Sequence, residues 1–146
     1  MLNFKSIILI GGLFLLGIQA NAQCRSFVKN NCEEQLEDYL VSGRMYGGYA
    51  SQGQEIDLVI VLNGGQKYRL INCSKENLGT IQVVLLDNKG NVIFDNFEHE
   101  FAQSWDFDVK ATQEFTIRTI IPSPSKSQGT AVRDCNILII GSKTAS

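Results

Sequence analysis

The chain carries few groups that can do chemistry, and they are scattered. Its one histidine, His99, sits in Glu98-His99-Glu100. In an extended strand the ring points away from both glutamates, because side chains alternate, so the three cannot share one metal. A solvated turn ahead of a long strand is expected there. Glu55 with Asp57, and Asp106 with Asp108, are carboxylates two positions apart on a common face. Such pairs can serve hydrolysis or bind calcium, but charges on the outward face of a strand are the ordinary case. The Asp87–Asp95 stretch lacks the alternating acids of a calcium loop, so Asn88, Asn91 and Asp95 make a poor ligand set. No Gly-x-Ser-x-Gly elbow accompanies His99. Tyr46-Gly47-Gly48-Tyr49 is the more distinctive cluster. Aromatic rings spaced by glycines can form a flat platform for sugar rings, with Trp105 joining it if exposed. Alternatively, Tyr46 and Tyr49, on opposite parities, cap core edges, and Trp105 is core by its alternation. Asn72-Cys73-Ser74 matches a glycosylation triplet formally but falls within an expected strand.

The four cysteines, Cys24, Cys32, Cys73 and Cys135, take their meaning from the N-terminus. Lys5 is followed by an apolar run from Ile7 to Ile18 and then by Ala20-Asn21-Ala22, the order of a secretory signal peptide. The run is shorter than the roughly 20 residues a membrane span needs. Cleavage is expected after Ala22. Gln23 precedes Cys24 where a lipoprotein signal wants Gly or Ala, which argues against a lipid anchor. Export places all four thiols in an oxidising compartment, so two disulfides are expected rather than metal ligands or a catalytic thiol. Their wide separations fit no zinc pattern.

The residues between must form a domain able to hold these groups. Of 146 residues, 44% are hydrophobic and 19% charged, which excludes wholesale disorder, and a formal net charge of −2 gives no general attraction to nucleic acid. Residues 1–22 read as signal peptide, 23–43 as a cysteine-containing helical segment and 44–146 as the folded domain. Val28, Cys32, Leu36, Tyr39 and Leu40 lie on one helical face, with Asn31 as N-cap and Gly43 as stop. From Arg44 the period becomes two. Strands are expected at 44–51, 55–62, 67–74, 80–87, 91–95, 100–110, 113–121 and 133–140, joined by turns such as Asn63-Gly64. Eight short strands without strand–helix–strand alternation indicate an all-β, two-sheet antiparallel β-sandwich, jelly-roll-like, with a short N-terminal helix. In a jelly roll the third and eighth strands are neighbours. This brings Cys73 and Cys135 together and favours the pairs Cys73–Cys135 and Cys24–Cys32.

Gly65-Gln66-Lys67-Tyr68-Arg69-Leu70, followed by Leu85-Leu86-Asp87-Asn88-Lys89-Gly90, resembles the rhythm of the bacterial pre-peptidase C-terminal type of β-sandwich. The likeness covers roughly residues 50–120. It also extends to small secreted proteins of Gram-negative bacteria with a Cys-rich helix before such a sandwich. It implies a fold and an extracytoplasmic role and transfers no catalytic residue. The expected function is a non-catalytic, exported binding or structural module of the cell envelope, without cofactor, metal, nucleic-acid partner or membrane span in the mature chain. Its partner would be a protein or glycan. Two alternatives stand beside it: a carbohydrate-binding domain using Tyr46, Tyr49 and Trp105, and a small carboxylate hydrolase.

Overall fold

The alternating residues build two antiparallel sheets. The computed structural model describes residues 19–41 and 45–145. Lys5 and the apolar run of the leader, the expected helix stop at Gly43 and the expected strand start at Arg44 lie outside the described residues. In the first sheet, β1 (Leu40–Val41) and β2 (Tyr46–Ser51) share one flank of β9 (Arg133–Thr144), followed by β4 (Gln66–Ser74) and β7 (Ser104–Val109). The second sheet runs β3 (Glu55–Leu62), β8 (Gln113–Ile120), β5 (Gln82–Leu86) and β6 (Val92–Asp95). Strands β2 to β9 pass between the sheets in the order of a jelly roll. Tyr68, Leu70, Leu85, Phe115, Ile117, Leu138 and Ile140 fill the space between them.

A third layer covers the first sheet. Helix α1 (Gln19–Asn31) and a 3-10 turn (Glu33–Leu36) lay Cys24, Val28, Cys32, Leu36 and Tyr39 over Ile71, Cys73, Cys135, Ile137 and Ile139. This explains why β4 and β9 read as nearly continuous apolar runs: both of their faces are buried. The expected apolar face is therefore real from Val28 to Tyr39, but Leu40 is not part of it, being exposed in β1, and the helix is not where its cap predicted. Asn31 is the last residue of α1 instead of opening a helix, and its Nδ2 donates back to Phe27 O at 2.8 Å. The chain then reverses at Glu37, whose φ is +53°. Arg69 of β4 pins the turn. Its guanidinium donates to Gln35 O at 2.7 Å, lies 3.1 Å from Glu37 and grips Asp106 at 2.7 and 2.9 Å. Gly141 gives the turn its seat, since a Cβ there would run into Leu36 and Tyr39. The expected cleavage junction at Ala22 falls within α1.

The cysteine pairing differs from the one expected. Cys24 bonds Cys135 and Cys32 bonds Cys73, with Cα separations of 5.5 and 6.0 Å. The expected adjacency of β4 and β9 holds, with Cys73 opposite Ile137 and Cys135 on the same face two residues on. That face, however, lies beneath α1. The helical cysteines, eight positions apart, stand about 12 Å from one another at 1.5 Å per residue and cannot meet. Each drops onto the sheet cysteine below it. With its sulfur in a disulfide, Cys24 has no thiol left to carry a lipid.

The strand expected at 100–110 begins only at Ser104. Residues Asn96–His99 form a 3-10 turn capped by the Asp95 side chain, which accepts from the Phe97 N–H. Glu100 and Phe101 then adopt φ of +55° and +56°. Buried Asn96 causes the fold-back. Its Oδ1 accepts from the Val83 N–H, and its Nδ2 donates to the carbonyls of Ile81 and Ala102.

Candidate functional site

The two open sides of the sandwich are finished differently. Between β6 and β7, Trp105 stacks on Phe94 with centroids 4.2 Å apart, and His99 leans on Trp105 at 4.9 Å. Three rings close that side. His99 is thus a stacking residue at the end of a turn. Between β2 and β3 the corresponding positions belong to Gly47 and Gly48. Gly47 has φ +115°, and a Cβ on it would collide with the Asn136 carbonyl of β9. A Cβ on Gly48 would touch nothing within 4 Å. What remains is a cleft of about 380 Å³, lined by Tyr46, Gly48, Ile56, Leu58, Thr119 and Leu138 among others.

Its lining is mostly apolar, with one unusual group. Thr119 faces inward from β8, opposite Ile56 of β3 and Val83 of β5, and is 2% exposed. Among the described residues, its Oγ1 is the one buried side-chain polar atom with no hydrogen-bond partner in the protein. A buried hydroxyl left unpaired costs about 1–3 kcal/mol. Its neighbours in the interior are served. Asn136, also on the cleft wall, donates from Nδ2 to Asn72 Oδ1 at 2.9 Å, and Asn96 makes three bonds of its own. The same contact removes Asn72 from consideration as a glycan acceptor, since it is buried and Cys73 of its triplet is in a disulfide.

The three expected aromatic residues do not share a surface. Tyr46 packs inward against the sandwich core and lines the cleft. Tyr49 borders the cleft, but its ring belongs to the core beneath α1, with its hydroxyl 3.0 Å from Gln23 Oε1 and the Arg133 guanidinium 5.8 Å above it. Trp105 lies on the opposite side of the sandwich.

The carboxylates are bound to arginines. Arg118 holds Asp57 through two bonds of 2.8 Å and lies 3.1 Å from Glu55. Asp106 accepts from Arg69 and from the Tyr39 hydroxyl, the latter at 2.9 Å. In both cases hydrogen bonding to the guanidinium lowers the aspartate pKa below the usual carboxylate range. Burial, reinforced by the Asp106 carboxylate, raises that of Tyr39. Asp108 lies in register with Lys67. Asp87 closes its turn by accepting from the Lys89 and Asn91 N–H groups and the Asn91 amide, which occupies Asn91. A larger recess of about 540 Å³ at the end of α1 is polar, and several of its groups are already engaged: Asn77 donates to Asp134, and Lys75 lies over the Phe27 ring.

Of the residues around the cleft, sequence reasoning singled out Tyr46 and Tyr49 with the glycines between them; it placed Thr119 on an inward face without giving it a role, and it did not single out Asn96 or Asn136. The available signal was a polar residue at an inward position of an otherwise apolar alternation, as in Phe115, Ile117, Thr119.

No protein-family model matches this chain, and no curated protein is similar to it. Among solved structures, it is similar in fold to Aeromonas hydrophila PliG, described as a periplasmic lysozyme inhibitor of g-type lysozyme. The TM-score is 0.51 at 13% identity, over 68% of this chain and 85% of that one. At that identity the likeness establishes a shared β-sandwich fold. It does not single out the pre-peptidase C-terminal type.

Proposed function

We propose that this chain is an exported, non-catalytic binding module of the cell envelope that takes a protein partner at the cleft between β2 and β3. The observation that carries this is the unpaired Thr119 hydroxyl in an apolar recess kept open by Gly47 and Gly48. Thr119 belongs to the wall of the recess while its Oγ1 is buried, so a ligand that enters and draws that wall toward it would give the oxygen a partner. Export is supported by the leader-like order of residues 1–22 and by two disulfides, which persist in oxidising compartments. Among the described residues, no helix is long and apolar enough to cross a membrane. A protein partner is preferred because PliG, of the same fold, is described as an inhibitor of another protein.

Calorimetric titration of the secreted chain with a g-type lysozyme, alongside Gly48→Leu, tests the reading. A Cβ at this position meets nothing within 4 Å, which leaves the leucine side chain room to extend into the cleft. Binding that weakens at least about tenfold in the variant, with an unchanged melting temperature, supports the proposal; such a loss corresponds to roughly 1.4 kcal/mol. Equal binding by both proteins removes the cleft from the interface, and no binding removes this partner. A second reading, a glycan ligand, is favoured by Tyr46, whose ring a sugar entering the cleft would meet. Titration with peptidoglycan fragments distinguishes it.

A further inference from the structure

The two sheets leave four edges, and three carry features that discourage pairing with another chain. Strand β6 has four residues, and its register with β5 breaks between Leu85 and Leu86. Strand β7 carries Asp106 and Asp108 along its length. The β1/β2 edge is divided between Val41 and Tyr46 and contains Gly47 at positive φ. Short strands, charges and irregular backbone are the usual ways in which edges are blunted.

Strand β3 differs from all three. It runs eight residues, Glu55–Leu62, in unbroken register with β8 and contains no Pro, Gly or Lys. Its charges are confined to its start, where Asp57 is tied back to Arg118. Beyond them Val59 and Val61 are 55% and 64% exposed. The direction of its free backbone groups follows from the ladder. Ile121 N–H donates to Gln54 O at 2.9 Å, one step before the Glu55–Ile120 pair. Antiparallel pairs alternate, so residues 56, 58, 60 and 62 bond β8. The N–H and C=O groups of Glu55, Asp57, Val59 and Val61 point to the open edge.

We infer that β3 pairs antiparallel with β3 of a second copy of this chain, about a two-fold axis at Val59, joining the two four-stranded sheets into one. The strand is complementary to itself in this register. Val59 meets its own counterpart, Asp57 lies opposite Val61 of the second copy, and on the inner face Leu58 lies opposite Ile60 and Ile56 opposite Leu62. The two acidic starts fall at opposite ends of the seam, so no like charges face each other, and each Asp57 keeps its own Arg118. A two-fold pairing of one patch with itself closes on a dimer and leaves no growing end. The inference is read from the outer backbone of β3 and its test needs no cleft ligand, although a second copy seated there lies beside the mouth of the cleft that β3 borders.

The test is sedimentation equilibrium of the secreted, disulfide-intact chain from micromolar to millimolar concentration, compared with Val59→Pro and Val59→Lys. Proline at 59 removes one outward N–H and leaves every β8 bond in place. Lysine at 59 sets two like charges opposite each other on the two-fold, at an already exposed position, and it keeps the test decisive if the proline unsettles β3. A dimer in the wild type that is lost in the folded variants supports the inference. A wild type monomeric throughout the range overturns it, as does a dimer that persists in either folded variant.

Discussion

Thr119 occupies a position that the interior would fill better with a hydrocarbon. It lies on the same face as Phe115 and Ile117, with its hydroxyl unpaired. Thr119→Val is therefore expected to stabilise the protein by about 1 kcal/mol, the cost of the orphaned group. Urea denaturation measures this, and a variant less stable than wild type would mean that the hydroxyl is paired after all. The glycines that shape the same cleft should behave in opposite ways. Gly47→Ala forces a side chain into positive φ and against the Asn136 carbonyl, at an expected cost of about 1–3 kcal/mol. Gly48→Ala meets open space and should change stability by less than about 0.5 kcal/mol. Parallel melts of the two variants check the contrast. The Tyr-Gly-Gly-Tyr motif was legible as unusual, because glycines inside a strand need a reason. That only Tyr46 turns its ring into the cleft was legible as opposite parity; that Tyr49 faces a helix was not.

At the scale of elements, the N-terminal segment is held to β4 and β9 by two disulfides and by Arg69. The double variant Cys24→Ser, Cys135→Ser should lose about 2–5 kcal/mol, the usual cost of removing a native disulfide from a small secreted domain. Hydrogen exchange should show α1 losing protection while the strands of the second sheet keep theirs. Uniform loss across both sheets would show the third layer to be part of one cooperative unit. Asp106→Asn removes the strongest partner of Arg69, which is largely buried under the 3-10 turn. About 1–3 kcal/mol is expected, as for a buried donor left with weaker partners. The stripe from Val28 to Tyr39 was readable because all its members face one surface. Its path was not, since helix, turn and reversal all satisfy that constraint, and the choice rests on Arg69 and Gly141, far away in sequence.

Across the whole molecule these networks set the response to pH. Asp57 and Asp106 have lowered pKa values because each accepts from a guanidinium. Their contribution is complete above the unfolded value of about 4 and is lost as pH falls through the lowered folded values. Tyr39 is shifted upward, so the stability tied to its neutral form is complete below the unfolded value of about 10 and is lost as pH rises through the folded value. Denaturant midpoints across the pH range should therefore form a dome. Asp106→Asn should flatten its acid side; an acid limb equally steep in the variant would exclude Asp106 as a contributor.

Eight of the nine strands among the described residues, their order, their antiparallel character and the expectation of two disulfides follow from the sequence by itself, while β1 fell in a segment expected to be helical. Alternation, turn residues and a leader-like start are local signals that each segment carries alone. The cysteine partners, the fold-back at Asn96, the cleft and the bare edge of β3 were decided only by the tertiary structure. An inward-facing residue has the same pattern whether the opposite sheet fills the space before it or leaves it open. A strand has the same sequence whether it lies in the middle of a sheet or at its edge. Which of these holds depends on contacts between residues widely separated in the chain, and at β2 and β3 those contacts leave a cleft with Thr119 in its wall.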